Sequence, residues 1–233
     1  MKPRIELGTA QIPNDGGVLK LSRREQEFSI RLSGIRGELM NSRAYNSEQQ
    51  LAVLGCAHII KGSTPAKVVV GGMGMGFTLA AALAAVPASA TVIVADLIPE
   101  VIEWNRGPLG ECAGRPLDDS RTKVHVGDVG ELLVDRKEVY DAVLLDVDNG
   151  PEGLTHSDNN WLYCVDGISE IYNSLRPEGV LAVWSASPDT MFTIRLKKAG
   201  FKVEVRTVRE RPGKGSRHTI FLAKKPWRQQ SKK

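Results

Sequence analysis

Four places in this 233-residue chain set glycines or carboxylates at the end of a short β-branched run. In VVVGGMGMGFTL the run Val68 to Val70 gives way to Gly71, Gly72, Gly74 and Gly76, with Met75 among them. Glycines there let the backbone approach a ligand closely, and a helix that follows offers unpaired N–H groups. TVIVAD ends in Asp96, followed by Leu97, where a carboxylate can accept two hydrogen bonds from vicinal ribose hydroxyls. KVHVGD ends in Asp128, followed by Val129, where an acceptor can meet an adenine amino group. YDAVLLDVDNGPEG crowds Asp146, Asp148, Asn149 and Glu152 together, a set suited to gripping an amine and taking its proton. Each ending alone is ordinary. Four in succession point to a nucleoside site with an acidic loop beside it.

Such residues meet only if the runs that carry them lie side by side. From about Lys67 onward, β-branched runs alternate with helix-like segments, the pattern of an α/β domain with a mainly parallel sheet. KVVVGG, TVIVAD, KVHVGD, YDAVLLD, GVLAVWSA, KVEVRTV and HTIFLAKK predict seven strands. FTLAAALAAV, PEVIEWNRG, GELLVDRK and LYCVDGISEIYNSL predict the crossover helices between the first five. RERPGKGSR carries no helical period, so the last two strands are expected to be antiparallel. In such doubly wound sheets ligands bind outside the carboxyl ends of the strands, where the strand order reverses.

Before the sheet lies a different region. GGVLKLSRREQEFSIRLSGIRGELMNSR alternates apolar and polar residues around glycine turns, and residues 1 to 46 are expected to form a small β appendage. SEQQLAVLGCAHIIK predicts a helix with Ser47 as N-cap and Leu51, Leu54 and Ile59 on one face. The expected division is thus 1–46, a Rossmann-like unit over 47–226, and a basic tail over 227–233.

Hydrophobic residues make up 42% and charged residues 25%, the composition of a chain that buries one substantial core. Neither an apolar leader nor a run of ~20 apolar residues is present, which predicts a cytoplasmic protein with no membrane partner. Three scattered cysteines predict neither a disulfide framework nor a metal site. A net charge of +4 permits an anionic partner, but much of the excess sits in the tail and in RERPGKGSRH.

The quoted segments, with NSLRPEGVLAVWSASPD and SEQQLAVL, resemble the spermidine synthase branch of the class I S-adenosylmethionine-dependent methyltransferase superfamily. The resemblance implies a seven-stranded doubly wound sheet and a donor that is S-adenosylmethionine or its decarboxylated form, without a metal. It places Asp96 on the ribose and Asp128 on the adenine, makes Asp146 the base with Asp148 beside it, and implies a homodimer through the N-terminal β region. Two positions depart from the family pattern. Met75 stands where the family's turn, roughly G-G-G-D-G-G-T-L, carries the aspartate that holds the donor's amine. Asn149 stands where the family's D-S-S-D-P has the aspartate that grips the acceptor.

Without a carboxylate at Met75, the turn's N–H groups are free to bind the carboxylate of intact S-adenosylmethionine. The expectation is therefore alkyl transfer to a small amine-containing acceptor, with methyl transfer first and aminopropyl transfer the alternative. Asn149, Glu152 and Trp161 are the expected acceptor contacts, Trp161 by stacking. Two further readings are a nucleic-acid methyltransferase, disfavoured because acidic residues around the loop repel phosphates, and a non-catalytic nucleoside-binding scaffold.

Overall fold

The computed structural model describes residues 3–14, 16–59, 65–147, 150 and 160–227. Seven strands form the main sheet: β5 (Lys67–Gly71), β6 (Thr91–Asp96), β7 (Thr122–Val126), β8 (Tyr140–Leu145), β9 (Leu175–Ser185), β10 (Lys202–Arg211) and β11 (Lys214–Lys224). Their spatial order is β10-β11-β9-β8-β5-β6-β7. The five strands from β7 across to β9 are parallel, and β11 runs antiparallel to both β9 and β10. The seven predicted strands are these seven, and the order reverses between β5 and β8. The crevice therefore opens where the glycine turn and Asp146 leave the sheet.

Alternation along each strand feeds two cores. Val68, Val70, Val92, Val94, Ala142 and Leu144 face one side, packed by α1 (Asn46–Gly55), α2 (Phe77–Ala85) and α3 (Pro99–Arg106). Val69, Val143, Leu145, Leu181 and Val183 face the other, packed by α4 (Gly130–Leu133), α6 (Val165–Ser174) and α7 (Thr190–Lys198). Parallel strands covered on both faces read as continuous apolar runs, which is why VVV and AVLL announced themselves.

The N-terminal region is a four-stranded antiparallel sheet of β1 (Ile5–Gln11), β2 (Val18–Arg24), β3 (Glu27–Leu32) and β4 (Met40–Asn41). Ala10, Ile12, Leu19, Leu21, Phe28 and Ile30 from this sheet belong to the same buried cluster as Val68 and Leu79, so it is continuous with the first core.

Five local expectations change. Ser47 is not an N-cap: Tyr45 is, and the Ser47 hydroxyl, already inside α1, donates to Glu48 Oε2 at 2.6 Å. α1 stops at Gly55, so Ile59 lies beyond it. GELLVDRK yields one helical turn, because Val134 is extended and Asp135 turns the chain with φ +56. LYCVDGISEIYNSL is split at Cys164 into α5 (Asn160–Tyr163) and α6. RERPGKGSR is mostly strand: β10 and β11 stay paired out to Arg211 and Lys214 around Pro212 and Gly213.

Candidate functional site

A cleft of about 430 Å³ lies over the carboxyl ends of β5, β6, β7 and β8, with the N-terminal sheet and α1 across from them. Gly72, Met73, Gly74 and Met75 form its floor; Asp96 and Leu97, Asp128 and Val129, and Asp146 and Val147 line it from the next three strand ends. Ile12, Leu19, Ile30 and Met40 close it from the N-terminal sheet. Gly71 and Gly76 stand behind the lining.

The floor is drawn tight against its neighbours. Asp146 N–H donates to the Gly71 carbonyl at 2.8 Å and Gly72 N–H to the Ala95 carbonyl at 2.8 Å. Gly72 has φ +91, and a β-carbon there would lie 2.2 Å from the Asp146 carbonyl oxygen, so only glycine fits. Met73 and Met75 are 3% and 4% exposed and belong to the first core. Their thioethers fill an irregular gap beneath the turn, a role suited to an unbranched, polarizable side chain.

Asp96 is bound from both sides: Oδ2 accepts Met73 N–H at 2.9 Å and Oδ1 accepts Ile98 N–H at 2.9 Å. Burial pushes its pKa up, opposed by backbone N–H bonds from Ile98, Met73 and Gly74. The N–H groups of Met73 and Gly74 serve Asp96, and that of Gly76 returns to the Met73 carbonyl at 2.7 Å. Asp128 Oδ1 accepts Gly130 N–H at 2.7 Å at the start of α4, and the residue lines the cleft.

Asp146 lines the cleft where β8 ends, half-buried. Its Oδ2 accepts the Thr78 hydroxyl at 2.5 Å. Burial raises its pKa to about 6, with the Thr78 bond pulling the other way. Facing it from α1 is Glu48, raised to about 7 by burial first and then by the Asp146 charge. Glu210 from β10, with His218 from β11 and Trp184 from β9, continues the wall beyond Asp146. His218 and Trp184 stack with ring centroids 4.7 Å apart, and burial lowers the His218 pKa, favouring the neutral ring.

Six carboxyls line the cleft, Glu38, Glu48, Asp96, Asp128, Asp146 and Glu210, and among the described lining residues there is no Lys or Arg. Glu38 is paired outside it with Arg4 at 2.8 Å and Arg31 at 3.3 Å. Glu210 lies 3.5 Å from Arg211 Nε. The cleft of a protein with net charge +4 is thus acidic and suited to cations.

The remaining candidates divide. Asp148, Asn149 and Glu152, with His156, lie outside the described residues. Trp161 does not line the cleft: its ring packs over Gly130 beside the outer face of Asp128, because α5 docks against α4 and the second core. The expected stacking on an acceptor inside the cleft is therefore not available to it. Trp184 packs against the first core and also lines the cleft. Sequence reasoning missed Glu48, Thr78, Glu210 and His218. Thr78 and Glu48 carried a signal, since both lie in segments quoted for the family resemblance; Glu210 sits in RERPGKGSR, read as a connection, and His218 opens HTIFLAKK, read as a strand without a site role.

Among the described residues no group of three or more His, Cys, Asp or Glu could hold a metal ion, and no helix is long and apolar enough to cross a membrane.

Comparison with known proteins extends this geometry. A spermidine synthase from Thermotoga maritima superposes with a TM-score of 0.71 at 18% identity, covering 96% of this chain and 73% of that one. A 1,6-didemethyltoxoflavin-N1-methyltransferase from Burkholderia thailandensis, solved with S-adenosylhomocysteine, gives 0.54 at 21% identity over 78% and 79% of the two chains. At those identities the likeness is one of fold. A polyamine aminopropyltransferase from Sulfolobus acidocaldarius is 28% identical over 124 residues, which is 53% of this chain but only 40% of the relative's length. The spermine/spermidine synthase domain matches residues 53–198, well over half of the sequence, from the end of α1 through α7, a stretch that carries the glycine turn, Asp96, Asp128 and Asp146, and the chain belongs to that family.

Proposed function

We propose that the protein is an aminopropyltransferase. In this reading decarboxylated S-adenosylmethionine lies along the ends of β5, β6 and β7, and its aminopropyl group passes to a small amine beside Asp146. The observation that carries the reading is the acidic cleft without a lining Lys or Arg. Decarboxylated S-adenosylmethionine brings a sulfonium and an ammonium but no carboxylate; the intact donor adds a carboxylate that this wall repels. Two N–H groups of the turn, those of Met73 and Gly74, are engaged with Asp96.

Asp96 is the proposed ribose acceptor and Asp128 the adenine contact, with Leu97 and Val129 as apolar walls against the base. The sulfonium is already a good leaving group, so the protein chiefly positions the amine in line with the carbon. Asp146, fixed by Thr78, orients that amine. Asp148, Asn149 and Glu152 remain proposed acceptor contacts from the adjoining loop.

One observation favours a second reading, methyl transfer from intact S-adenosylmethionine. Met75 leaves the turn without the acid that would select the decarboxylated donor.

Calorimetry with both donors, followed by label transfer to 1,4-diaminobutane and to RNA, separates the readings. The expected result is tighter binding of the decarboxylated form by at least about tenfold, or 1.4 kcal/mol, and label in the diamine alone. Tighter binding of intact S-adenosylmethionine with methyl transfer would install the second reading. Met75→Asp should widen the preference further if the turn faces the donor's amine.

A further inference from the structure

The glycine turn that floors the cleft is gripped at two points by the segment that closes β6 and forms α3. Asp96, at the end of β6, takes the N–H groups of Met73 and Gly74. Asn105, in the last turn of α3, reaches back to the same turn: its Nδ2 donates to the Gly74 carbonyl at 2.9 Å. We propose that Asn105 is a positioning residue for the donor, holding the Gly74 carbonyl so that the turn, and the Asp96 carboxylate bound to it, keep the geometry that receives the ribose. The assignment rests on the reading of the strand ends as the donor's nucleoside site, whichever alkyl group is transferred.

Packing alone does not account for an asparagine at this position. Asn105 is 1% exposed, yet its Oδ1 is buried without a hydrogen-bond partner. An unmatched buried acceptor costs free energy that a leucine of the same branching would not incur. Nδ2 also donates to the Val101 carbonyl at 2.9 Å, but that is the carbonyl an α-helix already pairs with the backbone N–H four residues on. The bond that leaves the helix is the one to Gly74.

The fit around the amide is close. A β-carbon on Gly76, which has φ +85, would lie 3.2 Å from Asn105 Oδ1 and 3.2 Å from Met73 Cε. One on Gly110 would lie 2.0 Å from the Asn105 carbonyl oxygen, so the chain after α3 closes directly over the residue. The turn is shut by the bond from Gly76 N–H to the Met73 carbonyl. Gly74, at φ +48, thus has its N–H taken by Asp96 and its carbonyl by Asn105, and neither peptide plane rotates without breaking a bond to the β6–α3 segment. Gly74 lines the cleft and Asn105 stands behind it, so any effect on a ligand passes through the turn.

The test compares wild type with Asn105→Leu, which keeps the branching and removes the amide, and Asn105→Asp, which turns an acceptor toward the Gly74 carbonyl. Ile102→Val, a truncation of a buried core side chain in the same helix, is the control for lost packing. Calorimetric titration uses decarboxylated S-adenosylmethionine and 5′-methylthioadenosine, a nucleoside with no aminopropyl group; kinetics uses 1,4-diaminobutane as acceptor. Asn105→Leu and Asn105→Asp should weaken both probes about tenfold or more and raise donor KM in step, while kcat and the diamine KM stay within about threefold. Ile102→Val should leave both affinities within about twofold, since it does not touch the turn. The assignment is overturned if Asn105→Leu binds the probes as wild type does, if donor and diamine KM rise together, or if Ile102→Val weakens the probes equally. If Asn105→Leu does not fold, Asn105→Asp decides, and unchanged probe affinity there overturns it. Tighter wild-type binding of intact S-adenosylmethionine sinks aminopropyl transfer alone, because the nucleoside probe still reads the turn; a wild type that binds no probe sinks the nucleoside site and this assignment with it.

Discussion

At the scale of single residues, the cleft is a place where charge has been put against the preference of the solvent. Glu48 and Asp146 are half-buried in the cleft with hydroxyl donors rather than cations as their hydrogen-bond partners, and partly desolvated charges cost stability. The cost has a predictable pH signature. Burial raises Glu48 from 4.5 to about 7, so the folded protein binds its proton more tightly than the unfolded chain does. Between those two values the native state carries more protons, and stability falls as pH rises through the window. Glu48→Gln removes the charge and keeps an oxygen to accept from Ser47. Scanning calorimetry should find the variant more stable than wild type at pH 8, by about 1–3 kcal/mol or several degrees, and nearly equal at pH 4.5. A variant less stable at pH 8 would mean that the Glu48 charge is compensated in the free protein. None of this was legible from sequence. An acid in the first turn of a helix is ordinary, and only the fold sets it against a carboxylate from a distant strand. Asp96, Asp128 and Asp146 were legible because each ends a β-branched run, and strand ends are where a doubly wound sheet gathers its ligand contacts.

At the scale of elements, legibility followed the locality of the cause. The central strands are apolar on both faces and reveal themselves as runs; the helices beside them carry their own period. β1 was not picked out as a strand because IELGTAQ is mostly exposed and owes its shape to pairing with β2. The tip of the β10-β11 hairpin, RERPGKGSR, was read as a connection because it is extended by cross-strand partners such as Arg209 and Arg217, not by any apolar alternation. That reading concealed Glu210. The glycine turn is the opposite case, a local sequence whose requirement is set by a neighbour. Gly72→Ala would combine a left-handed φ with a β-carbon 2.2 Å from the Asp146 carbonyl oxygen. Gly213, at the hairpin tip with φ +73, has nothing within 4 Å of the same added carbon. Gly213→Ala should cost about 1 kcal/mol, the strain of the backbone alone. Gly72→Ala should cost at least about 3 kcal/mol in urea unfolding and should weaken donor binding, because relief of the clash parts β5 from β8 at the crevice. Equal losses in the two variants would show that the turn can yield without disturbing the sheet.

At the scale of the molecule, the cleft is shared property. One wall comes from the strand ends of the main sheet and the opposite wall from the N-terminal sheet, and Ile30, fully buried, belongs both to that wall and to the first core. A boundary near residue 46 is therefore a change of architecture within one apolar cluster. If that cluster is what couples the two sheets, a cavity made in the N-terminal one should weaken the whole. Ile30→Ala should cost about 2–5 kcal/mol, as large-to-small changes in a packed core do. The loss should appear as a single transition at lower temperature, with calorimetric and van't Hoff enthalpies still equal, and with weaker donor binding because the lost side chain lines the cleft. Two transitions, the earlier one sensitive to Ile30→Ala and the later one retaining donor binding, would instead make the N-terminal sheet an independent unit. In that outcome the strand ends of the main sheet alone would hold the nucleoside, and the acidic wall at Glu48 and Asp146, both on the main-sheet side, would act without the N-terminal sheet as its cover.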